Sequence, residues 1–515
     1  MDNFEQHVEK NPSRSELHNS VPNLAVTPTN DIAMRIAKLS PRKHGLFLQR
    51  LYASMSAVPV TRDRADSEIG PIPLLAIQRW FLTELEFGPP HYRNLHNVCC
   101  MVEINFPINH ILLEESVKHI LSHHLALRQR FFYTKSEWQS YIDPPSESIP
   151  VKFMDLSTIS NTELRSSIES AAAAAQNTLD ILRGPLLQIV LFDLGEGRSS
   201  RLLVIIHHLV ADAVSLPIVL QDIMRAYSQL RQGERIVLST VATSFRQWAE
   251  RMDEYTQSAA LQKELDYWLA LPWRKVVALP KEFPGDNYTQ ISAPLRVSTV
   301  KTLSIAETTA LLKWLTKRNG STMLDILLTS LVQAYSSLTC VRTLLVYLVH
   351  HGRVSIFGDL NPSRTVGYLV VNCPAILDIS EAKTSKGEFI AIREQLRNIP
   401  NQGIGHGLLR YVSRDRDVVD KLAILPYPEI MFNYLGSSIE RTNYASFRPA
   451  IESVGETDKP IRVPGRMNLW ASVNNNRLHL SGSMWEAIDN VDYGRNIDGL
   501  LQNWAQMMRL FISRL

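Results

Sequence analysis

Along the chain, short apolar runs alternate with amphipathic stretches, and this alternation sets in only after the first few dozen residues. HNVCCMVEI (96–104) and RLLVIIHHLV (201–210) gather β-branched and apolar residues over a strand's length, which predicts two strands. ILLEESVKHILSHH (111–124) and ELRSSIESAAAAAQ (163–176) read as helices, and the run Ala171 to Ala175 favours helix and close packing. The stretch TSFRQWAERMDEYTQSAALQKELDYWLAL (243–271) is predicted helical, and it runs into the Pro-rich LPWRKVVALPKEFPGDNYTQISAP (271–294), where regular structure stops. Beyond it, 306–338 predicts two helices and RTLLVYLVHHGRV (342–354) a buried strand. Residues 1–38 lack periodicity, as expected of a flexible leader. Ser40 and Pro41 supply the cap and first position of a short amphipathic helix carrying Leu46, Phe47, Leu51 and Met55. The pattern divides the chain into that leader, an N-terminal lobe (39–245), a connecting segment (246–290) and a C-terminal lobe (291–515), an α/β protein throughout.

The strongest chemical signal sits where a predicted strand gives way to a helix. Leu202 to Ile206 form a buried strand, and Ser215 with Pro217 marks the start of a helix, so His207-His208-Leu209-Val210-Ala211-Asp212 occupies the turn between them. Consecutive strand side chains point to opposite faces, so one histidine is available for catalysis and the other is structural. Imidazole exchanges a proton near neutral pH, which suits abstraction from carbon or activation of an amine or hydroxyl. Asp212 either orients an imidazole or pairs with an arginine. Two core histidines bonded to backbone are the bland alternative, and a zinc site is weaker, because the turn removes the helical spacing that would aim His208 and Asp212 at one ion.

Composition narrows the class. The 515 residues are 45% apolar and 20% charged, ordinary for a globular protein, and a net charge of +3 with mixed signs gives no basic face for nucleic acid. Cys99, Cys100, Cys340 and Cys373 have neither metal-site nor disulfide-framework spacing, which predicts free buried thiols in a reducing compartment. With no signal-peptide core and no apolar run of membrane-spanning length, the expectation is a cytoplasmic protein without membrane contact. No nucleotide or flavin glycine motif is present, and no bound cofactor or metal is expected. Trp80, Trp248 and Trp268 are assigned to packing.

HHLVADAVS (207–215) resembles the HHxxxDG signature of condensation and epimerization domains of nonribosomal peptide synthetases. Further segments follow in the family's order. IGPIPLLAIQRWFLTE (69–84) resembles the epimerization-domain PIQxWF segment, keeping Ile77, Gln78, Trp80 and Phe81 with Ala76 in place of proline. HHLALRQRF (123–131) resembles HHDALRxRF, SRTVGYLVVNCP (363–374) resembles TVGWFT, REQLRNIPNQGIGHGLLRY (393–411) resembles LRxIPxxGxGYG, and EIMFNYLG (429–436) resembles FNYLG. The resemblance implies two chloramphenicol-acetyltransferase-like lobes in a V-shaped pseudo-dimer with a central tunnel. It also implies His208 as the acid/base residue, Asp212 as the residue that holds the motif's shape, and a substrate carried on the phosphopantetheine of a carrier protein.

In the family's EGHGRE segment a glutamate faces the catalytic histidine. Here the matching stretch is Val349-His350-His351-Gly352-Arg353-Val354, so valine replaces that glutamate; Ala213 replaces the glycine after the aspartate, and His406 the tyrosine of GYG. His207, Asp212 and Arg353 are expected to support the motif, and Val349, His350, His351, Asn433 and Tyr434 to line the tunnel or touch substrate. Three activities stay open: an epimerase in which His350, His351, Tyr434 or water completes the proton transfer; an acyltransferase or cyclisation enzyme using His208; and an inactive carrier-binding protein. The chain shows no adenylation or carrier segment, so the expectation is a stand-alone protein acting in trans on an aminoacyl or peptidyl carrier protein of a separate synthetase, in secondary-metabolite biosynthesis.

Overall fold

The structure, a computed structural model, describes residues 69–87, 90–134, 137–279, 295–317, 320–437, 447–454, 461–462, 467–486 and 493–514. The leader and the helix expected from Ser40 to Met55 lie outside these residues. In chain order the described strands are β1 (Gly70–Ile72), β2 (Glu86–Phe87), β3 (Asn97–Ile104), β4 (Gln129–Thr134), β5 (Glu137–Ile142), β6 (Val151–Asp155), β7 (Leu187–Asp193), β8 (Ser200–His207), β9 (Leu295–Thr302), β10 (Thr343–His350), β11 (Val371–Asp378), β12 (Ile430–Ser437), β13 (Phe447–Pro449), β14 (Ile461–Arg462), β15 (Met467–Asn474) and β16 (Arg477–Glu486).

Two large sheets organise them. The first runs β13-β3-β8-β7-β6 and the second β11-β10-β12-β15-β16-β9; smaller sheets pair β1-β5-β4 and β14-β2. In the first, Leu202 to Ile206 of β8 are fully buried on both faces, as an uninterrupted apolar run requires. The helix Asn161–Gln176 packs Ile168, Ala172 and Ala175 against Val190, Phe192, Leu203 and Ile205, so the alanine run does admit close approach. In the second sheet, helices Met323–Thr339 and Tyr493–Ile512 cover the strands; buried Trp504 stacks edge-on against Phe432 at 5.9 Å and donates to Leu327 O at 3.1 Å.

One strand from the second half of the chain joins the first sheet. β13, which follows β12 in sequence, forms the edge of the first sheet by pairing antiparallel with β3, Phe447 opposite Ile104. Trp80, Trp248 and Trp268 are all buried, in packing roles. Helices Phe245–Thr256 and Ala259–Ala270 hold the last two, while Trp80, on helix Ala76–Glu84, lies 6.4 Å from Tyr347 of β10.

The cysteine expectation needs correction. All four are free, but only Cys373 is buried; Cys99 and Cys100 are half-buried, and Cys340 is exposed, closing a helix at φ 62°. No described helix is long and apolar enough to cross a membrane.

Candidate active site

β8 ends at His207, and the next three residues form a single tight turn, His208–Val210. His207 closes the strand and caps this turn. Its Nδ1 accepts from Leu209 N at 3.1 Å, which leaves Nε2 as the protonated nitrogen, 2.7 Å from Arg93 O. Burial lowers its pKa to about 4, so the ring is a neutral structural element. From the other side, Gln78 donates to Leu209 O at 2.8 Å and to Gln129 Oε1 at 3.0 Å, locking the turn to helix Ala76–Glu84.

His208 begins where the strand stops. Its backbone N donates to His96 O at 2.8 Å, and its ring lies between two aromatic neighbours: His96 stacks on it at 4.9 Å and 12°, and Tyr368 meets it at 4.5 Å and 50°. Its Nδ1 is buried and makes no hydrogen bond of good geometry among the described residues. Burial lowers the His208 pKa, opposed by the backbone of His208 itself, the Asp212 carboxylate and the backbone of Ala211. His96 is likewise held well below the usual imidazole range, by burial and by the two motif histidines. His208 is therefore a neutral base at physiological pH, with its ring plane fixed by packing.

Among the described residues, none of the hydrogen bonds of Asp212 goes to His208, on which it acts only through its charge. It pairs with an arginine, the second of the two roles its type allowed. Arg353 Nη1 lies 2.7 Å from Asp212 Oδ2 and Nη2 lies 3.0 Å from Oδ1, a two-pronged pair with both side chains almost wholly buried. The carboxylate also accepts from Val214 N (3.1 Å), Ser215 N (2.8 Å) and Leu369 N (3.2 Å), with Ser215 Oγ 2.8 Å from Oδ1. It thereby caps helix Ser215–Arg231, whose own preceding residue, Val214, has no capping side chain. Arg353 donates further to Thr365 O (2.8 Å), His351 O (3.2 Å) and Ser215 Oγ (3.0 Å). Gly367 N reaches the same Ser215 hydroxyl at 3.1 Å. One buried polar knot thus fastens the His208 turn to the segment after β10.

Val349 sits on β10 with Asn372 of β11 and Asn433 of β12 in register on either side. Side chains in register share a face, so two amides flank the valine. Asn372 is 7% exposed, and its Oδ1 has no hydrogen-bond partner among the described residues. His350 is the next residue and points to the other face, in register with Val371, its pKa lowered to about 4 by burial and by His351. His351 is exposed and uses Nδ1 to accept from Arg353 N at 3.0 Å. Tyr434 follows Asn433, half-buried, with its phenol pKa raised by burial. The structure therefore joins His207, His208, Asp212 and Arg353 in one assembly, sets Val349 and Asn433 side by side, and gives His351 a positioning contact to Arg353.

A second buried carboxylate repeats the theme. Asp222 accepts from Arg364 Nη2 at 2.8 and 3.0 Å and lies 2.9 Å from His124 Nε2. His123, His124 and Asp222 approach a metal-ligand cluster, the one such group among the described residues, and both carboxylate oxygens already accept from Arg364.

Sequence reasoning missed His96, Tyr368, Ser215 as a bridge, and Asn372. His96 and Tyr368 carry no motif signal of their own; Gly367 and Tyr368 fall inside a segment singled out only for its resemblance.

Comparison with known proteins agrees with this geometry. The family model described as Condensation domain matches residues 68–456. A linear gramicidin synthase protein of Brevibacillus parabrevis is 36% identical over 404 residues, covering 77% of this chain and 8% of that protein. Chondramide synthase cmdD of Chondromyces crocatus is 34% identical over 400 residues, 76% of this chain and 10% of that protein. The chain thus spans a tenth or less of the length of these relatives. Among solved structures, the epimerization domain from the third module of tyrocidine synthetase B matches with a TM-score of 0.75 and 25% identity, covering 87% of this chain and 98% of that one. The condensation domain from Monacolin K polyketide synthase MokA matches with a TM-score of 0.66 at 14% identity, a likeness of fold alone, over 86% of this chain and 97% of that one. The paired sheet-and-helix halves are the chloramphenicol-acetyltransferase-like architecture expected of such domains.

Proposed function

Because the chain belongs to the condensation-domain family of nonribosomal peptide synthetases, we propose that it acts on an aminoacyl or peptidyl thioester held on the phosphopantetheine of a carrier protein, with His208 as the acid/base group. The observation that carries this reading is the state of His208: neutral, its ring held by His96 and Tyr368, its turn anchored by the Asp212–Arg353 pair. In the epimerization-type reaction, the Cα–H bond of the thioester breaks, the proton passes to the imidazole, and the electron pair enters an enolate; return of a proton to the opposite face inverts the centre. The likeness to an epimerization domain across nearly its whole length supports this reaction over peptide-bond formation.

Val349 favours a second reading. An apolar side chain neither delivers nor accepts a proton, so one face of the enolate has no residue at this position to serve it. A single histidine is sufficient for acyl transfer, where it takes the proton of an attacking amine or hydroxyl while the thiolate departs from the thioester carbonyl. One assay separates the readings. Aminoacyl-carrier thioester, supplied on a separate carrier protein, is incubated with the chain in deuterium oxide, with and without candidate amines. Deuterium at the α-carbon with mixed chirality supports epimerization in trans. A new amide or ester without α-exchange supports acyl transfer, and carrier binding with neither product leaves a binding protein.

A further inference from the structure

The C-terminal half carries a second concavity, of about 700 Å³, that shares no lining residue with the surroundings of His208. It opens between the helices Ile305–Lys317, Met323–Thr339, Ser385–Asn398 and Tyr493–Ile512. Its wall is aromatic: Trp314 meets Phe511 edge-on at 5.3 Å and Phe389 at 5.9 Å, and those two phenylalanines lie 5.6 Å apart. Around this wall stand four cationic side chains and one carboxylate. The carboxylate, Glu388, is already committed, to Arg342 at 2.8 Å and to Gln333 at 2.7 Å. Arg342 also donates from Nη2 to Ile379 O and Ala382 O and from Nε to Ile379 O. Among the described residues, Lys386, Arg393 and Arg514 therefore face the cavity without a counter-ion in its lining, Arg393 interacting electrostatically with buried Asp325 outside that lining. Among the described residues, the buried Nε of Arg393 has no partner, and Arg514 contacts the Ser385 hydroxyl at 2.8 Å.

We propose that this cavity binds an amphipathic anion, an apolar chain or ring system bearing one carboxylate or sulfonate. Volume and lining decide the class. Some 300–1,000 Å³ of mostly apolar wall with a few placed polar groups is the usual make-up of a small-molecule site. Aromatic faces take an apolar body, and an excess of cations at the rim selects a negative head over a neutral one. A nucleotide fits less well, because nothing in the lining offers a phosphate-cradling glycine loop.

The test uses the full chain and the dye anilinonaphthalenesulfonate, whose fluorescence rises in an apolar site. Saturable binding of one dye per chain is expected, displaced by laurate and not by the same concentration of dodecanol. Arg393→Gln combined with Lys386→Gln should weaken binding roughly tenfold, as expected for loss of charged hydrogen bonds. Ser336→Trp, which fills the cavity from its wall, should abolish binding while circular dichroism shows a folded chain. His208→Ala should leave dye binding unchanged, which separates this site from the proposed reaction centre. Absence of saturable binding, equal displacement by dodecanol, or wild-type affinity in the double charge variant would overturn the proposal.

Discussion

Removing Arg353 probes the structural support of the His208 turn. The guanidinium and the Asp212 carboxylate are paired at 2.7 and 3.0 Å with both side chains withdrawn from water. Breaking such a pair from one side leaves an uncompensated buried charge, at about 3–5 kcal/mol. Arg353→Met should fall near the lower figure, because the carboxylate keeps the backbone N–H groups of Val214, Ser215 and Leu369. Asp212→Asn should cost a similar amount, since one amide edge then presents N–H groups to the guanidinium or loses the helix cap. The double variant Asp212→Asn/Arg353→Met contains no buried unpaired charge, so its loss should be smaller than the sum of the two by about 2–3 kcal/mol, within the range seen for residues sharing one network. Urea unfolding followed by tryptophan fluorescence measures all three. Additive losses, to within about 0.5 kcal/mol, would refute the claim that this pair is a single unit joining the motif turn to the segment after β10.

Other perturbations bear on different parts of the molecule. Gly352 has φ 67°, and a Cβ there would lie 1.6 Å from Leu369 O, whereas Gly436 has φ 70° and open space; Gly352→Ala should therefore cost at least about 3 kcal/mol in thermal or urea stability and Gly436→Ala about 1 kcal/mol, and equal effects would contradict the close packing at the HGR segment. Buried His207 and His406 have pKa values lowered to about 4 and about 3. For such depressed groups the unfolded chain binds the proton first, so their contribution is complete above about pH 6.5 and is lost as pH falls through the folded values, roughly 3 kcal/mol for His207 alone. His406→Phe, which removes an Nδ1 that has no partner among the described residues and lies beside Trp268, should shift the acid unfolding midpoint downward; an unchanged midpoint would argue against it. Val349→Glu places a carboxylate between Asn372 and Asn433, and it should raise α-proton exchange at a stability cost of about 1–3 kcal/mol; slower exchange would show that this position does not face the reacting carbon.

Much of the fold is legible in the sequence because it is written in local pattern. The run Leu202–Ile206 announces a buried strand, and the helices at 110–123, 161–176 and 323–339 fall where their residues favour them. What escapes is long-range. Nothing in Phe447–Pro449 shows that it will pair with β3, more than 300 residues earlier, because a three-residue edge strand has no period to detect. The site divides the same way. His208, Asp212 and Arg353 can be named from motif resemblance, and alternation along β8 already requires the two histidines to differ. The environment that makes His208 neutral depends on His96 and Tyr368, which reach it from 112 and 160 residues away. Likewise the residue type leaves Asp212 two roles, and only the Arg353 contact chooses between them. Cys340 departs from the expected burial because an apolar side chain type does not fix exposure, and its position is a left-handed helix end.

If His208 handles the proton at the α-carbon of a carrier-bound thioester, mass spectrometry of the aminoacyl group after incubation in deuterium oxide will register it, with wild type, His208→Ala and His207→Ala compared at equal folded concentration. One deuterium should be incorporated by wild type above the rate without enzyme, and none by His208→Ala. Incorporation persisting undiminished in His208→Ala, or absent from wild type across the range from mildly acidic to mildly alkaline pH, would contradict that role.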